Sequence, residues 1–308
     1  MRWIEASIQT ESGEIDDLCA ALEALGVDGV CIEDEADFRA FLENNKQYWD
    51  YVDEELSNYY SGLSRIKFYL PDDGEGRKTL DAARRALGRE VAVSCVDDAE
   101  WAGGWKENFP PLEVGERLLV IPEWLEPEAE GRAVLRIEPG LAFGTGKHAT
   151  TRMCLEALEA MELSGKRVLD LGCGSGILGL AALALGAGSV AGCDVDPKAP
   201  DAARANAALN GIGAERFQLY AGDILSDGGL RKKLGGGYDL VLANIVADVI
   251  LQLSGLFREL LAPEGGLICS GIIDERAREV EAALRKNDLR VLRRLHAEEW
   301  NCFVLEAL

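Results

Sequence analysis

The sequence predicts an α/β protein in which a doubly wound, largely parallel sheet follows a smaller α+β domain. From about residue 112 onward, apolar strand segments alternate with helical segments, as in a parallel sheet covered by helices on both faces. The first hundred residues instead form two βαβ-like halves, which indicates a ferredoxin-like domain. Paired glycines and prolines lie between the two parts. We therefore predict domains at 1–97 and 112–308, joined by a linker at 98–111.

The N-terminal pattern is read from hydrophobic periodicity. Residues 3–9 alternate as a strand does, and a helical apolar stripe follows up to Leu25, with Gly26 ending the helix. VDGVCIE follows as a second strand. RIKFYL forms a third strand with three apolar side chains on one face, Ile66, Phe68 and Leu70. A helix at about 77–87 and the strand EVAVSCV complete the set. An acidic, aromatic insert at 36–60 interrupts it.

The C-terminal pattern contains four clear strands, RVLDLG, SVAGCDV, YDLVLAN and GGLICSG. Helical segments separate them, so these strands are expected to run parallel. The last two segments, RVLRRLHAEE and WNCFVLEAL, have no helix between them. We expect them to close the sheet as an antiparallel hairpin.

Composition excludes several function classes. A formal charge of −22 argues against a nucleic-acid surface, which needs clustered Lys and Arg, and suits either solubility or a basic protein partner. The sequence has no apolar run of about 18 residues, and MRWIEASIQTESGE has no apolar stretch behind a basic start, so we expect neither a membrane span nor a signal peptide. Eight cysteines without a CxxC pair, and only two histidines, predict no metal site. These features together favour the reducing cytoplasm.

The strongest local signal is a glycine turn between a buried strand and a helix. VLDLGCGSG leads into ILGLAALALG, so Gly172 begins a GxGxG turn at a helix N-terminus. Asp194 ends the next strand, 22 residues after Gly172, where an acidic side chain binds both ribose hydroxyls of a nucleotide cofactor. This requirement is common to NAD and S-adenosylmethionine (SAM), so it does not choose between them.

Other polar residues follow the next strands or precede the core. Asn244 ends the fourth strand, where it is placed to orient an amine toward a methyl donor; a turn residue is the alternative. Asp223 is a candidate partner for an adenine amino group, or a capping residue. The segment 138–151, EPGLAFGTGKHATT, is interpreted as a loop over the site, with Thr150 and Thr151 near a helix start. Within it His148 is either a proton acceptor or a polar contact.

These segments together resemble the ribosomal-protein L-eleven methyltransferase family, PrmA. The resemblance covers essentially the whole chain, from WIEASIQT and LGVDGVCIED through DAEWAGGWKENFPP to EPGLAFGTGKHATT, LDLGCGSGILGLAAL, GCDVDP and LANIVADV. It implies a Rossmann-like, seven-stranded class I methyltransferase core. It also implies a cytoplasmic, monomeric enzyme that uses SAM, with no metal.

The family's SAM contacts fall, position by position, on Thr151, Gly172, Asp194 and Asn244, and Asn244 is the expected catalytic residue. The resemblance implies methylation of lysine side chains and of the N-terminal amine of a large-subunit ribosomal protein, bound through the N-terminal domain. No nucleic acid or membrane partner is expected. The loop departs from the family pattern GTGTHPTT at Lys147 and Ala149.

Two other functions remain open from the sequence. The first is a SAM-dependent methyltransferase of another protein, of RNA or of a small molecule; the negative charge counts against RNA. The second is a SAM- or NAD-binding module without enzymatic activity. The segment 138–151 and the position of Asn244 count against it, since a binding module needs neither.

Overall fold

The computed structural model describes residues 2–27, 29–44, 54–97, 109–127, 131–139 and 148–308. The chain divides into two compact units, Met1–Asn108 and Phe109–Leu308. Most of the predicted linker, residues 98–108, lies outside the described residues, so the domain boundaries given above stay a prediction. In the described part, no helix is both long and apolar enough to cross a membrane.

The N-terminal unit is a four-stranded antiparallel sheet with the strand order β2-β3-β1-β4. This order, with two helical crossovers, is that of a ferredoxin-like domain, as predicted. Its strands are β1 Arg2–Gln9, β2 Val30–Asp34, β3 Ser64–Pro71 and β4 Ala92–Asp97; its helices are α1 Ile15–Ala24, α2 Glu35–Asn44, α3 Glu54–Tyr60 and α4 Gly74–Leu87.

The core of this unit lies on one face of the sheet. Alternate residues of β1 and β3 are buried there, and they pack with the apolar stripes of α1 and α4. Ile66, Phe68 and Leu70 belong to this core, as their spacing predicts. The insert at 36–60 contains most of α2 and α3, and residues 45–53 lie outside the described ranges.

The C-terminal unit is built on a seven-stranded sheet with the order β10-β9-β8-β11-β12-β14-β13. All neighbouring pairs from β10 to β12 are parallel, which confirms the predicted doubly wound sheet. Its strands are β8 Arg167–Leu171, β9 Ser189–Asp194, β10 Phe217–Ala221, β11 Tyr238–Asn244, β12 Leu261–Ile273, β13 Leu289–Ala297 and β14 Trp300–Ala307. Its helices are α5 Ala149–Glu159, α6 Ile177–Ala184, α7 Ala199–Leu209, α8 Gly228–Leu234, α9 Ala247–Leu260 and α10 Asp274–Lys286.

The predicted hairpin is present at the far side of this sheet. β13 and β14 pair antiparallel, and β14 lies between β12 and β13. Most of β14 is buried, including Cys302, Phe303 and Leu305, so this strand is part of the core.

A second, three-stranded sheet precedes the main one and is not among the predicted elements. It has the order β5-β6-β7, where β5 is Leu112–Val114, β6 Leu118–Pro122 and β7 Ala133–Ile137. Every residue of β6 is buried, and β7 leads directly to the segment that begins at Glu138. The main sheet and β7 together set the position of the candidate site.

Candidate functional site

The glycine turn after β8 has the geometry that its sequence predicts. Gly172, Gly174 and Gly176 all have positive φ angles, of 70°, 49° and 79°. A Cβ atom at Gly172 would lie 2.4 Å from Cγ2 of Ile245, so glycine allows the turn to pack this closely against Ile245. Gly176 is the N-cap residue of α6, and the turn therefore presents backbone N–H groups at a helix N-terminus.

Asp194 lies at the end of β9, beside this turn. One of its carboxylate oxygens accepts a hydrogen bond from the Gly174 N–H at 2.8 Å, and the other accepts one from the Asp196 N–H at 2.9 Å. The side chain is half-buried at the carboxyl edge of the sheet. Each oxygen has a second lone pair, so the carboxylate is able to accept hydrogen bonds from a diol as well.

Asn244 and Thr151 lie 93 residues apart in the sequence and are in contact in the fold. Asn244 is the last residue of β11, and its side-chain nitrogen donates to the hydroxyl of Thr151 at 3.2 Å. Thr151 lies in the first turn of α5 and is 0% exposed. Because the contact uses the amide nitrogen, the carbonyl oxygen of Asn244 remains an acceptor suited to an amine.

A glycine turn, a carboxylate and an amide thus lie at the carboxyl edge of the sheet, and comparison with known proteins shows which family carries them. The family described as "Ribosomal protein L11 methyltransferase (PrmA)" matches this chain over residues 2–307. The chain belongs to the PrmA family. The resemblance inferred from the sequence is therefore confirmed.

Relatives and a solved structure agree with this assignment. The ribosomal protein L11 methyltransferase of Pelotomaculum thermopropionicum is 38% identical over 309 residues, which cover 97% of this chain and 97% of that protein. The corresponding protein of Heliobacterium modesticaldum is 36% identical, covering 99% and 97%. The structure of a ribosomal protein L11 methylase from Lactobacillus delbrueckii subsp. bulgaricus matches with a TM-score of 0.58 at 32% identity, over 65% of this chain and 100% of that one.

His148 closes the N-terminus of α5 in this PrmA-family chain. Its Nδ1 accepts a hydrogen bond from the Thr150 N–H at 3.3 Å and lies 2.8 Å from the Thr150 hydroxyl. Since a backbone N–H only donates, Nδ1 is unprotonated in this cap. The imidazole also packs edge-on against Trp300, with ring centroids 5.1 Å apart. These contacts favour the polar-contact interpretation of His148, and they show that the helix is capped by His148 rather than by Thr150 or Thr151.

Two further predictions concern residues around this pocket. Both carboxylate oxygens of Asp223 accept hydrogen bonds within their own turn, from the Leu225 N–H at 2.9 Å and the Ser226 hydroxyl at 2.7 Å. This is the arrangement of the capping alternative. Of the predicted loop at 138–151, residues 140–147 lie outside the described ranges, and Lys147 is among them.

Asp170 is a buried carboxylate in β8, directly beneath the glycine turn. It is 1% exposed, and one oxygen accepts a hydrogen bond from the Gly179 N–H at 3.0 Å. Burial raises the pKa of Asp170 to about 7, with the charge of Asp194 adding to the effect. In the described residues, no group of three or more His, Cys, Asp or Glu side chains is arranged to hold a metal ion.

The raised pKa of Asp170 predicts a pH-dependent stability. The folded chain binds this proton up to about pH 7, and the unfolded chain only up to about pH 4. The free energy of unfolding therefore falls as the pH rises between these values, on the order of 3 kcal/mol in all. Asp170→Asn keeps an acceptor for Gly179 and removes the titration.

Urea unfolding at pH 5 and pH 8 tests this expectation. We expect the variant to lose about 3 kcal/mol less than the wild-type protein between the two pH values. Asp201→Asn is the control, because the Asp201 side chain is 84% exposed and this variant should keep the wild-type pH dependence. Equal losses in Asp170→Asn and wild type would contradict the assignment.

Sequence analysis missed two asparagines, Asn206 on α7 and Asn210 at the C-cap of that helix. Asn206 is fully buried, and both side chains bond to backbone groups of other segments. The only sequence signal is that the two amides lie four residues apart and that Asn206 shares a face of α7 with the buried alanines Ala203 and Ala207. A buried amide on an apolar helix face needs partners, and here they are the glycine turn and the strand β7.

Proposed function

We propose that this protein transfers methyl groups from SAM to ribosomal protein L11, and that it modifies amino groups, namely lysine side chains and the N-terminal amine. Family membership supports the class of reaction and the substrate. The observation that carries the proposal is the position of Asp194, whose carboxylate contacts the Gly174 N–H at 2.8 Å beside the N-terminus of α6. A carboxylate next to a bare glycine turn suits the ribose of a nucleoside cofactor.

The residues of the pocket fit SAM. Asp194 would supply acceptors for the two ribose hydroxyls, and Gly172 allows the turn to pack against Ile245, where a Cβ atom would lie 2.4 Å from its Cγ2. We propose that Thr151, Gly172, Asp194 and Asn244 contact the cofactor, since the geometry places Thr151 and Asn244 in direct contact with each other. When bound, SAM supplies a methyl group on a sulfonium, which is electrophilic without a metal.

Asn244 is the residue that we propose to orient the amine. Its carbonyl oxygen accepts a hydrogen bond from the N–H of a neutral amine and so directs the nitrogen lone pair. A free lysine with a pKa near 10.4 costs about 4–5 kcal/mol to deprotonate at pH 7, and desolvation at the pocket lowers that cost. The contact with Thr151 fixes the amide plane of Asn244, so that the oxygen is held ready before the amine binds.

The N-terminal unit is proposed to bind the ribosomal protein, because the resemblance covers that unit as well and the net charge of −22 suits a basic partner. We further propose a monomer that acts in the cytoplasm, where ribosomal proteins are found and where all eight cysteines would stay as the free thiols seen here.

Transfer of radiolabelled methyl from SAM to ribosomal proteins tests the proposal. The proteins are taken from cells that lack this enzyme, so that their sites are unmodified. We expect one labelled large-subunit protein, with the label on lysine side chains and the N-terminal amine after digestion. Labelled RNA would support the alternative substrate class, and SAM binding without any label would leave only a binding module.

A further inference from the structure

One face of α7 packs directly against the back of the glycine turn. Ala203 lies so close that a side chain at Gly176 would start 2.9 Å from the Ala203 Cβ. Asn206 follows one turn later on the same face and is 0% exposed. The turn therefore has two sides: one faces the carboxyl edge of the sheet, and the other rests on α7.

Asn206 bonds to the turn with its amide nitrogen and to a different segment with its oxygen. The nitrogen donates to the backbone carbonyl of Ser175 at 2.9 Å, and the oxygen accepts a hydrogen bond from the Glu138 N–H at 2.8 Å. Ser175 is itself buried and stands between Gly174, which donates to Asp194, and Gly176, which caps α6. A single side chain thus connects the glycine turn to the chain just after β7.

Asn210 anchors β7 without touching the turn. Its side chain accepts a hydrogen bond from the Arg136 N–H at 2.8 Å and donates to the Arg136 carbonyl at 2.7 Å and to the Asn206 carbonyl at 2.8 Å. β7 is also paired with β6 along its whole length. Attachment of β7 therefore does not depend on Asn206 alone. Asn206 adds the bond to the Glu138 N–H, just after β7, and the bond to the Ser175 carbonyl in the turn.

We propose that Asn206 is a positioning residue of the cofactor pocket. By holding the carbonyl of Ser175, it restrains the Ser175–Gly176 peptide in a turn whose glycines restrict the backbone little by themselves. The restrained peptide leads directly into α6 and limits the movement of the adjoining Gly174, whose N–H donates to Asp194. The inference rests on the proposed SAM binding and deepens it, because it assigns part of the cofactor affinity to a residue that need not touch the cofactor.

Asn206→Asp separates the two bonds of this side chain. The aspartate keeps an acceptor for the Glu138 N–H, but when ionised it turns an oxygen toward the Ser175 carbonyl. When protonated, its O–H restores the donor. Burial raises the pKa of such a carboxyl, so the acid form is populated at mildly acidic pH.

Calorimetric titration of the full chain with SAM at pH 8 and pH 5.5 is the test. We expect the Kd of Asn206→Asp, divided by that of the wild type at the same pH, to be about 30 at pH 8 and below about 5 at pH 5.5. The division removes any pH dependence of SAM binding that the variant shares with the wild-type protein. With saturating SAM, kcat should stay within about threefold of the wild-type value, because Asn206 does not touch the reacting groups.

Asn210→Asp is the matched control. It loses the donor bonds to the Arg136 carbonyl of β7 and to the Asn206 carbonyl, and its SAM Kd should stay within about threefold of wild type at both pH values. Asn206→Ser, which introduces no charge, is the second variant in case Asn206→Asp does not fold. We expect it to weaken SAM binding about tenfold, equally at both pH values.

A Kd ratio that is the same at pH 8 and 5.5, or equal weakening by Asn206→Asp and Asn210→Asp, would overturn the inference and leave the proposed function intact. For Asn206→Ser, an unchanged Kd would do the same. A wild-type protein that does not bind SAM would overturn the proposed function and this inference together, and that outcome is visible before any variant is made.

Discussion

Asp194→Ala is expected to weaken SAM binding by at least about 100-fold. The variant removes the acceptor that we propose for both ribose hydroxyls, and hydrogen bonds to a charged group contribute about 1.5–3 kcal/mol each. It also releases the Gly174 N–H, which the carboxylate holds at 2.8 Å in the free protein. Both effects act on the same pocket, so we expect this to be the largest loss of affinity from a single side chain.

Asp196→Ala is the appropriate control for this experiment. Asp196 is two residues away and exposed, and its carboxylate accepts a hydrogen bond from the Lys198 N–H at 2.9 Å. The same charge is therefore removed without a change in the pocket. Calorimetric Kd values for SAM and methyl transfer at saturating SAM should separate the two variants. Equal affinities in Asp194→Ala and Asp196→Ala would rule out Asp194 as the ribose ligand.

Gly271→Ala is expected to lower both stability and turnover. Gly271 has a φ of 83°, and a methyl group there would start 2.4 Å from the backbone oxygen of Ile245. The left-handed conformation and the collision together should cost about 3 kcal/mol, which corresponds to a fall in Tm of about 10 °C in a unit of this size. Ile245 directly follows Asn244, so the collision also displaces the amide that we propose to orient the amine. A fall in kcat of at least about tenfold should follow.

Gly255→Ala provides the opposite case on the neighbouring helix α9. There the added methyl would meet only the side-chain oxygen of Asn287, at 3.6 Å, and alanine is the better helix former. We expect this variant to gain up to about 1 kcal/mol of stability with unchanged kcat. If Gly271→Ala had a wild-type Tm and kcat, β12 would have to be less rigid beside Ile245 than its contacts indicate.

The main sheet was predictable because its strands are continuous apolar runs bounded by glycine or by polar residues. RVLDLG, SVAGCDV and YDLVLAN each form one strand, and their carboxyl ends bring Gly172, Asp194 and Asn244 to one edge. For parallel strands, chain position alone decides which end of the sheet a residue reaches. The hypotheses about these three residues therefore needed no knowledge of packing.

Other parts of the site depend on packing between segments that are distant in sequence. Asn206 bonds to Ser175 and to Glu138, which lie 31 and 68 residues away. Nothing in the local pattern of α7 specifies these partners, because they are backbone groups that any residue type would supply. The short strands β5 to β7 were missed for a related reason, since three to five apolar residues are compatible with a strand, a buried turn or a helix end.

The position of β14 between β12 and β13 has a consequence for synthesis on the ribosome. β14 is translated after both of its neighbours, so β12 presents an open strand edge from the time it emerges until residues 300–307 follow. At ordinary translation rates this interval lasts a few seconds. His148, at the start of the helix that carries Thr151, gains its contact with Trp300 only then. During that interval the open edge of β12 exposes the nascent chain to mispairing, and the candidate site is completed only when β14 is made.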